Sequence, residues 1–172
     1  FMGVGLTISA SIFASIEAIA MQYLNPIFLK NILDSSKQER TSAWNNMATI
    51  VVPIYILAAV FTVCLSEALI GVLANQKFQN AYLYISLGVG IEFFRVMTNL
   101  LAKVAHSEYQ TILTIKPYLL GFFISLGLLG TIDFGAYHFM LILVLVFAYF
   151  CVFIYMYTAM KGLLDIKFKM KK

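Results

Sequence analysis

Charged residues punctuate the chain at intervals that leave five long apolar runs, residues 1–29, 41–66, 78–102, 111–132 and 134–160. The first run holds a single charge, Glu17. The second and fifth hold none, the third holds Glu92 and Arg95, and the fourth holds Lys116 near its start. About 20 apolar helical residues cross a bilayer core of about 30 Å, so each run is long enough to span with some tilt. A transmembrane barrel does not fit, because its strands are about 10 residues long and alternate in polarity. The pattern predicts an all-α, polytopic transmembrane helix bundle. Its five spans, A to E, occupy residues 1–160, and residues 161–172 form a basic tail.

The connections are short. Residues 30–40 (KNILDSSKQER) read as a hydrophilic loop or interfacial helix, and residues 67–77 as a mostly apolar re-entry with turn residues Asn75 and Gln76. Residues 103–110 (KVAHSEYQ) link C to D, and residues 131–135 (TIDFG) make a tight turn. Pro53 in B and Pro117 in D are expected to kink or start helices, which membranes tolerate.

Composition agrees with this division. The chain has 172 residues, 62% hydrophobic and 12% charged, with a mean hydropathy of +0.89. A soluble domain carries roughly 45–50% apolar and about 25% charged residues, so an ordinary cytosolic domain is excluded. Disorder is excluded too, since it needs low hydrophobicity and high charge. The chain opens Phe-Met-Gly-Val-Gly with no basic n-region, so it reads as a piece of a longer protein rather than a signal peptide and mature domain.

Charge then orients the bundle. Lys30, Lys37, Arg40, Lys103, Lys116, Lys161, Lys167, Lys169, Lys171 and Lys172 fall on one side, and Lys77 alone on the other. Ten against one places the A–B loop, the C–D loop and the tail in the cytoplasm. The tail is also placed to touch anionic membrane lipid. Nucleic acid is not expected as a partner, because these lysines sit at a membrane edge without interleaved aromatics. Trp44, Tyr82, Tyr84, Tyr155 and Tyr157 lie where interfacial aromatic belts form.

Enzyme chemistry finds little support. Cys64 and Cys151 fall inside apolar spans, where a thiol behaves as a small hydrophobe. There is no CxxC or HExxH, and His106 and His138 are far apart in the topology, so no metal site is expected. No phosphate-binding glycine loop is present. No catalytic residue and no cofactor is therefore expected. The pair Gly88 and Gly90 inside span C reads as helix packing.

The informative residues are the ionisable ones at membrane depth, which are costly and face a bundle interior or an aqueous cavity. In span C, Gly88, Glu92, Arg95, Asn99, Lys103 and His106 recur at three- and four-residue spacing. Such positions share a helix face, so one polar stripe runs from mid-membrane to the cytoplasmic rim. Two readings stand. Glu92 and Arg95 satisfy each other as an i, i+3 pair, or the stripe lines a water-filled pathway. Its continuation through Asn99 and Lys103 favours the second. Arg95 is the best candidate to grip an anion, since its planar fork matches phosphate oxygens.

Glu17, in the middle of span A, either bridges to an arginine such as Arg95 or faces the same cavity, where it could carry a coupling proton or cation. Ala10, Ala14, Ala18, Ser11 and Ser15 around it suit close helix packing. Gln22 and Asn25 do not continue a clean stripe from Glu17.

Three stretches carry a resemblance: SIEAIAMQYLNPIFLK from Ser15, a small-residue helix ending in Asn-Pro; GIEFFRVMTNLLAKVAHSEYQT from Gly90; and TIKPYLLGFFISLGLLG from Thr114. Together they resemble the polysaccharide-export flippases, the O-antigen-type lipid-linked oligosaccharide branch of the multidrug/oligosaccharidyl-lipid/polysaccharide exporter superfamily. The resemblance implies a bacterial cytoplasmic-membrane transporter of two six-helix lobes around a cationic cavity, with this chain supplying most of the C-terminal lobe. A missing N-terminal lobe or partner chain would complete it. The implied substrate is an undecaprenyl-pyrophosphate-linked oligosaccharide, flipped for surface polysaccharide biosynthesis. Arg95 and Lys103 would meet the pyrophosphate or sugar, and Glu17 and Glu92 would tune the cavity or couple to an ion. A cation-coupled multidrug exporter or a lipid II flippase of the same superfamily is the nearest alternative. A membrane-embedded glycan polymerase or ligase fits less well, because the outer connections are short and poor in Arg and His. A structural assembly subunit would not need charges at the midplane.

Overall fold

A computed structural model describes residues 1–73, 76–130 and 138–166. The turn expected at residues 131–135, Asn75, and the tail lysines Lys167, Lys169, Lys171 and Lys172 lie outside the described residues, as do the side chains of Lys77 and His138. The described chain is an all-α helical bundle. Its helices are α1 (Met2–Ile32), α2 (Lys37–Cys64), α3 (Ser66–Leu73), α4 (Tyr82–Ser107), α5 (Ile115–Leu129) and α6 (His138–Lys161). Short 3-10 turns at Gln76–Ala81 and Thr111–Thr114 lead into α4 and α5. Five segments are long and apolar enough to cross a membrane: α1, α2, Phe78–Ser107, Thr111–Leu129 and Phe139–Lys161. The chain is a multi-pass membrane protein.

Several expected boundaries shift, each for a local reason. The loop expected at residues 30–40 shrinks to four residues, because α1 continues to Ile32 and α2 begins at Lys37. Ser36 caps α2: its Oγ accepts from the Glu39 backbone N–H at 3.4 Å, while Glu39 Oε2 accepts from the Ser36 N–H at 2.7 Å. This reciprocal capping box satisfies two donors that a bare helix start leaves open. The helix expected to end at Asn25-Pro26 runs through it; Pro26 is interior to α1. Pro53 is likewise interior to α2. Pro117 lies in the first turn of α5, where its missing N–H has no helical partner to lose. The apolar re-entry is itself helical, since α3 follows α2 after a single break at Leu65.

The central column is α4, which packs against α1, α2 and α6, while α5 packs mainly on α6. Lipid chains are as apolar as leucine, so helices in a bilayer are held by close packing and hydrogen bonds more than by water exclusion. The α1–α4 contact shows this. A Cβ on Gly88 would overlap Ser9 Oγ, and one on Gly5 would come within 2.7 Å of Tyr84 Cβ and 2.8 Å of the Ala81 carbonyl. Ser9 is fully buried there because its hydroxyl donates back to the Leu6 carbonyl at 2.9 Å. The close approach is therefore made by Gly5, Ser9 and Gly88. The expected packing face of Ala10, Ala14 and Ala18 turns elsewhere.

Trp44 corrects the expected aromatic belt. Its ring is 0% exposed, and its Nε1 donates to the Leu100 carbonyl of α4 at 3.1 Å. An indole can be buried only where its N–H finds such an acceptor. Tyr155 is partly exposed, as a lipid-facing residue should be. Cys64, expected to be buried, is exposed at the end of α2, and both cysteines are free.

Two contacts fix which ends lie together. Arg40 of α2 forks onto Glu108 just past α4, with Nε to Oε1 at 2.8 Å and Nη2 to Oε2 at 3.3 Å. The Asn45 amide donates to the Asp165 carbonyl at 3.4 Å. The α1–α2 turn, the α4–α5 link and the segment after α6 thus share one end of the bundle, the end that also holds Lys30, Lys37, Lys103, Lys116 and Lys161.

Candidate functional site

A cavity of about 760 Å³ opens along the bundle between α1, α4 and the start of α5. Glu92, Arg95, Asn99, Lys103 and His106 of α4 form its floor. That is the polar stripe expected from spacing, less Gly88, which is buried against Ser9. From Glu92 to His106 the floor runs ~21 Å at 1.5 Å per helical residue. It starts halfway through the span and ends at the Arg40–Glu108 end.

The first wall is α1, through Ala10, Ala14, Glu17, Ala18, Met21 and Asn25. Here the small residues have a second use. Ala14 and Ala18 are exposed to the cavity, and their small volume leaves the space open. Asn25 also reaches it, against the expectation that the Glu17 face stops short. The second wall is Thr114 and Tyr118. No substantial interface joins α1 to α5, so the two walls stand apart.

The deep end of the cavity is a hydrogen-bonded charge centre. Arg95 Nε donates to Glu92 Oε2 at 2.7 Å along α4, and Arg95 Nη1 donates to Glu17 Oε2 at 3.0 Å across to α1. Asn99 Nδ2 donates to the second Glu17 oxygen at 2.9 Å, and the Tyr118 hydroxyl donates to Asn99 Oδ1 at 3.2 Å. One chain of polar contacts therefore ties α1, α4 and α5. Side-chain exposures of 28% for Arg95, 19% for Glu17 and 14% for Glu92 mean that the centre is shielded yet reached from the cavity. Ionic groups at this depth persist only when paired or facing such a space.

The sequence left two alternatives for Glu17 and two for the Glu92–Arg95 pair. The structure combines them: Arg95 is held by both carboxylates, and all three line the cavity. With all three ionised, the centre carries one negative charge in excess. Lys103, half-buried, lies nearer the Arg40–Glu108 end of the floor and makes no ion pair among the described residues.

Neither Tyr118 of the cavity wall nor Tyr55 of α2 was singled out from sequence. Tyr118 had no distinguishing neighbour; only its position four residues after Thr114, at the start of D, could have suggested the same wall. Tyr55 of α2 is 0% exposed, and its hydroxyl has no hydrogen-bond partner among the described residues. It lies within the electrostatic field of Glu17 and Arg95. Among the described residues, no group of three or more His, Cys, Asp or Glu is placed to hold a metal ion. Compared with known proteins, the chain matches no family model, no curated sequence and no solved structure.

Proposed function

We propose that this chain is part of a bacterial cytoplasmic-membrane transporter that flips an amphiphile with an anionic head, an undecaprenyl-pyrophosphate-linked oligosaccharide, for surface polysaccharide biosynthesis. The observation that carries the reading is the graded floor of the cavity. Arg95 at mid-depth is followed by Lys103 and His106 toward the lysine-rich end. A pyrophosphate entering from that end, taken as cytoplasmic from the lysine bias, would meet Lys103 and then Arg95. The sugar head is polar and would occupy the hydrated volume. The work is conformational rather than covalent: two helix bundles rock about the cavity and expose it to each side in turn. The separated walls α1 and α5 leave room for a second bundle, from a further lobe or a partner chain, to close the cavity against lipid.

Genetic replacement tests this reading. Arg95→Ala in the native locus abolishes surface polysaccharide while the protein still inserts and accumulates in the membrane. Normal polysaccharide in that strain would overturn it.

A second reading, a cation-coupled multidrug exporter, draws on a different observation. Glu17 and Glu92 outnumber Arg95 at mid-depth, which suits a cationic substrate. Drug sensitivity on deletion, with surface polysaccharide intact, would select it.

A further inference from the structure

The centre around Arg95 is too well satisfied to receive an anion as it stands. Its guanidinium spends Nε on Glu92 and Nη1 on Glu17. An incoming oxyanion would enter a partly buried site already carrying an excess negative charge. One carboxylate must be neutralised before the fork is free.

The surroundings indicate which. Glu92 sits on the same helix as Arg95 and makes the shorter bond, 2.7 Å. Glu17 is held from α1, across a helix interface, by Arg95 and Asn99. α2, which packs against both α1 and α4, carries Tyr55, whose buried hydroxyl has no hydrogen-bond partner among the described residues. A buried polar atom left unpaired is costly, and each such case in a folded protein calls for an explanation.

We propose that Tyr55 is the second-state partner of Glu17, and that an oxyanion seats on Arg95 in exchange for one proton taken up by Glu17. The inference rests on the reading that Arg95 meets the anionic head of the substrate. The proton comes from cavity water and adds to the Glu17 carboxylate, making a neutral acid with both a donor and an acceptor. That acid leaves Arg95 and accepts a hydrogen bond from the Tyr55 hydroxyl, which keeps its own proton. Arg95 keeps Glu92 and turns its freed Nη1 edge to the oxyanion. The centre passes from one excess negative charge to neutral before the anion arrives. The groups facing this exchange are Glu17 from α1, Tyr55 from α2, Glu92, Arg95, Asn99, Lys103 and His106 from α4, and Tyr118 from α5. Tyr149 of α6 borders Glu92.

Proton–anion linkage supplies the test. Sulfate is a suitable probe, because it remains a dianion across the range and does not itself titrate. Sulfate binding to the purified full chain in lipid nanodiscs is measured by calorimetry between pH 5.5 and 8. One proton taken up per anion makes affinity rise about tenfold per unit fall in pH. Glu17→Gln gives tight, nearly pH-independent binding. Tyr55→Phe weakens binding about tenfold at the acid end. A flat wild-type profile would overturn the exchange, as would a slope that vanishes in His106→Gln but survives in Glu17→Gln. An unchanged Tyr55→Phe profile would overturn the role of Tyr55. Arg95→Ala abolishes binding; should that variant fail to fold, Arg95→Lys replaces it and weakens binding. Sulfate binding that ignores Arg95 altogether would instead sink the underlying reading of an anion-gripping arginine.

Discussion

Arg95 of α4 donates to Glu17 of α1 at 3.0 Å near the middle of the membrane-spanning bundle, 78 residues apart in sequence. Neither group could hold its charge there alone, so each makes the other's position tolerable. Breaking a buried ion pair by removing one partner typically costs about 3–5 kcal/mol, because the survivor is left uncompensated. Partial exposure to the cavity places this pair at or below the lower end of that range. Arg95→Gln is therefore expected to lower thermal stability in detergent more than Glu17→Gln, because it strands two carboxylates rather than leaving an arginine that still has Glu92. In the double variant the losses should not add. A thermal-shift double-mutant cycle is expected to return a coupling of about 1–3 kcal/mol. A coupling near zero would mean that the contact contributes nothing to the fold.

At one end of the bundle, Arg40 and Glu108 form a two-pronged pair, and Arg40 Nη1 also donates to the Ser35 carbonyl at 2.6 Å. The pair clamps the α1–α2 turn to the α4–α5 link. Asp34 and Tyr109, at φ of 52° and 55°, turn the chain sharply beside it. Bidentate geometry puts the pair above the usual exposed salt bridge, which is worth about 0–1 kcal/mol. Arg40→Glu is expected to destabilise the protein measurably, and the swap Arg40→Glu with Glu108→Arg to recover part of the loss. The same geometry fixes topology. In a background with Cys64 and Cys151 replaced by Ala, single cysteines at Ser36 and at Tyr109 should react with a membrane-impermeant maleimide from the same side of the membrane. A cysteine at Val72 should react from the other. Labelling of Ser36 and Tyr109 from opposite sides would contradict the fold.

The spans were legible because charge is so costly in a bilayer that its scarcity over 20 or more residues marks a membrane helix. The polar stripe of α4 was legible for the same reason, with helical spacing supplying the face. Where charge did not decide, reading was harder. The charged stretch at 30–40 hid a helix start whose signal, Ser36 followed three residues on by Glu39, is short and local. Trp44 sits at the depth of an interfacial belt yet faces inward, and depth can be read from sequence while rotation about the helix axis cannot. The alanines of α1 suited packing and cavity wall equally, because small size serves both. Tyr55 looked like any other aromatic in an apolar span. Nothing in the local sequence marks its hydroxyl as buried without a hydrogen-bond partner among the described residues.

The close approach of α1 and α4 at Gly88 can be tested through packing alone. A side chain at Gly88 would collide with Ser9, which is fully buried and cannot swing into open space. Over-packing of this kind typically costs about 1–3 kcal/mol. Gly88→Leu should therefore lower thermal stability and push α1 outward, lengthening the Arg95–Glu17 bond two turns away. Gly90→Ala is the matched control, since a Cβ there meets only Val146 methyls at ordinary contact distances of 3.5 and 3.6 Å. A Ser9→Gly change in the Gly88→Ala background should relieve the milder clash and recover most of the stability, as read by melting temperature. If Gly88→Leu and Gly90→Ala melted alike, the tight α1–α4 contact would not be what holds the cavity's floor to its wall.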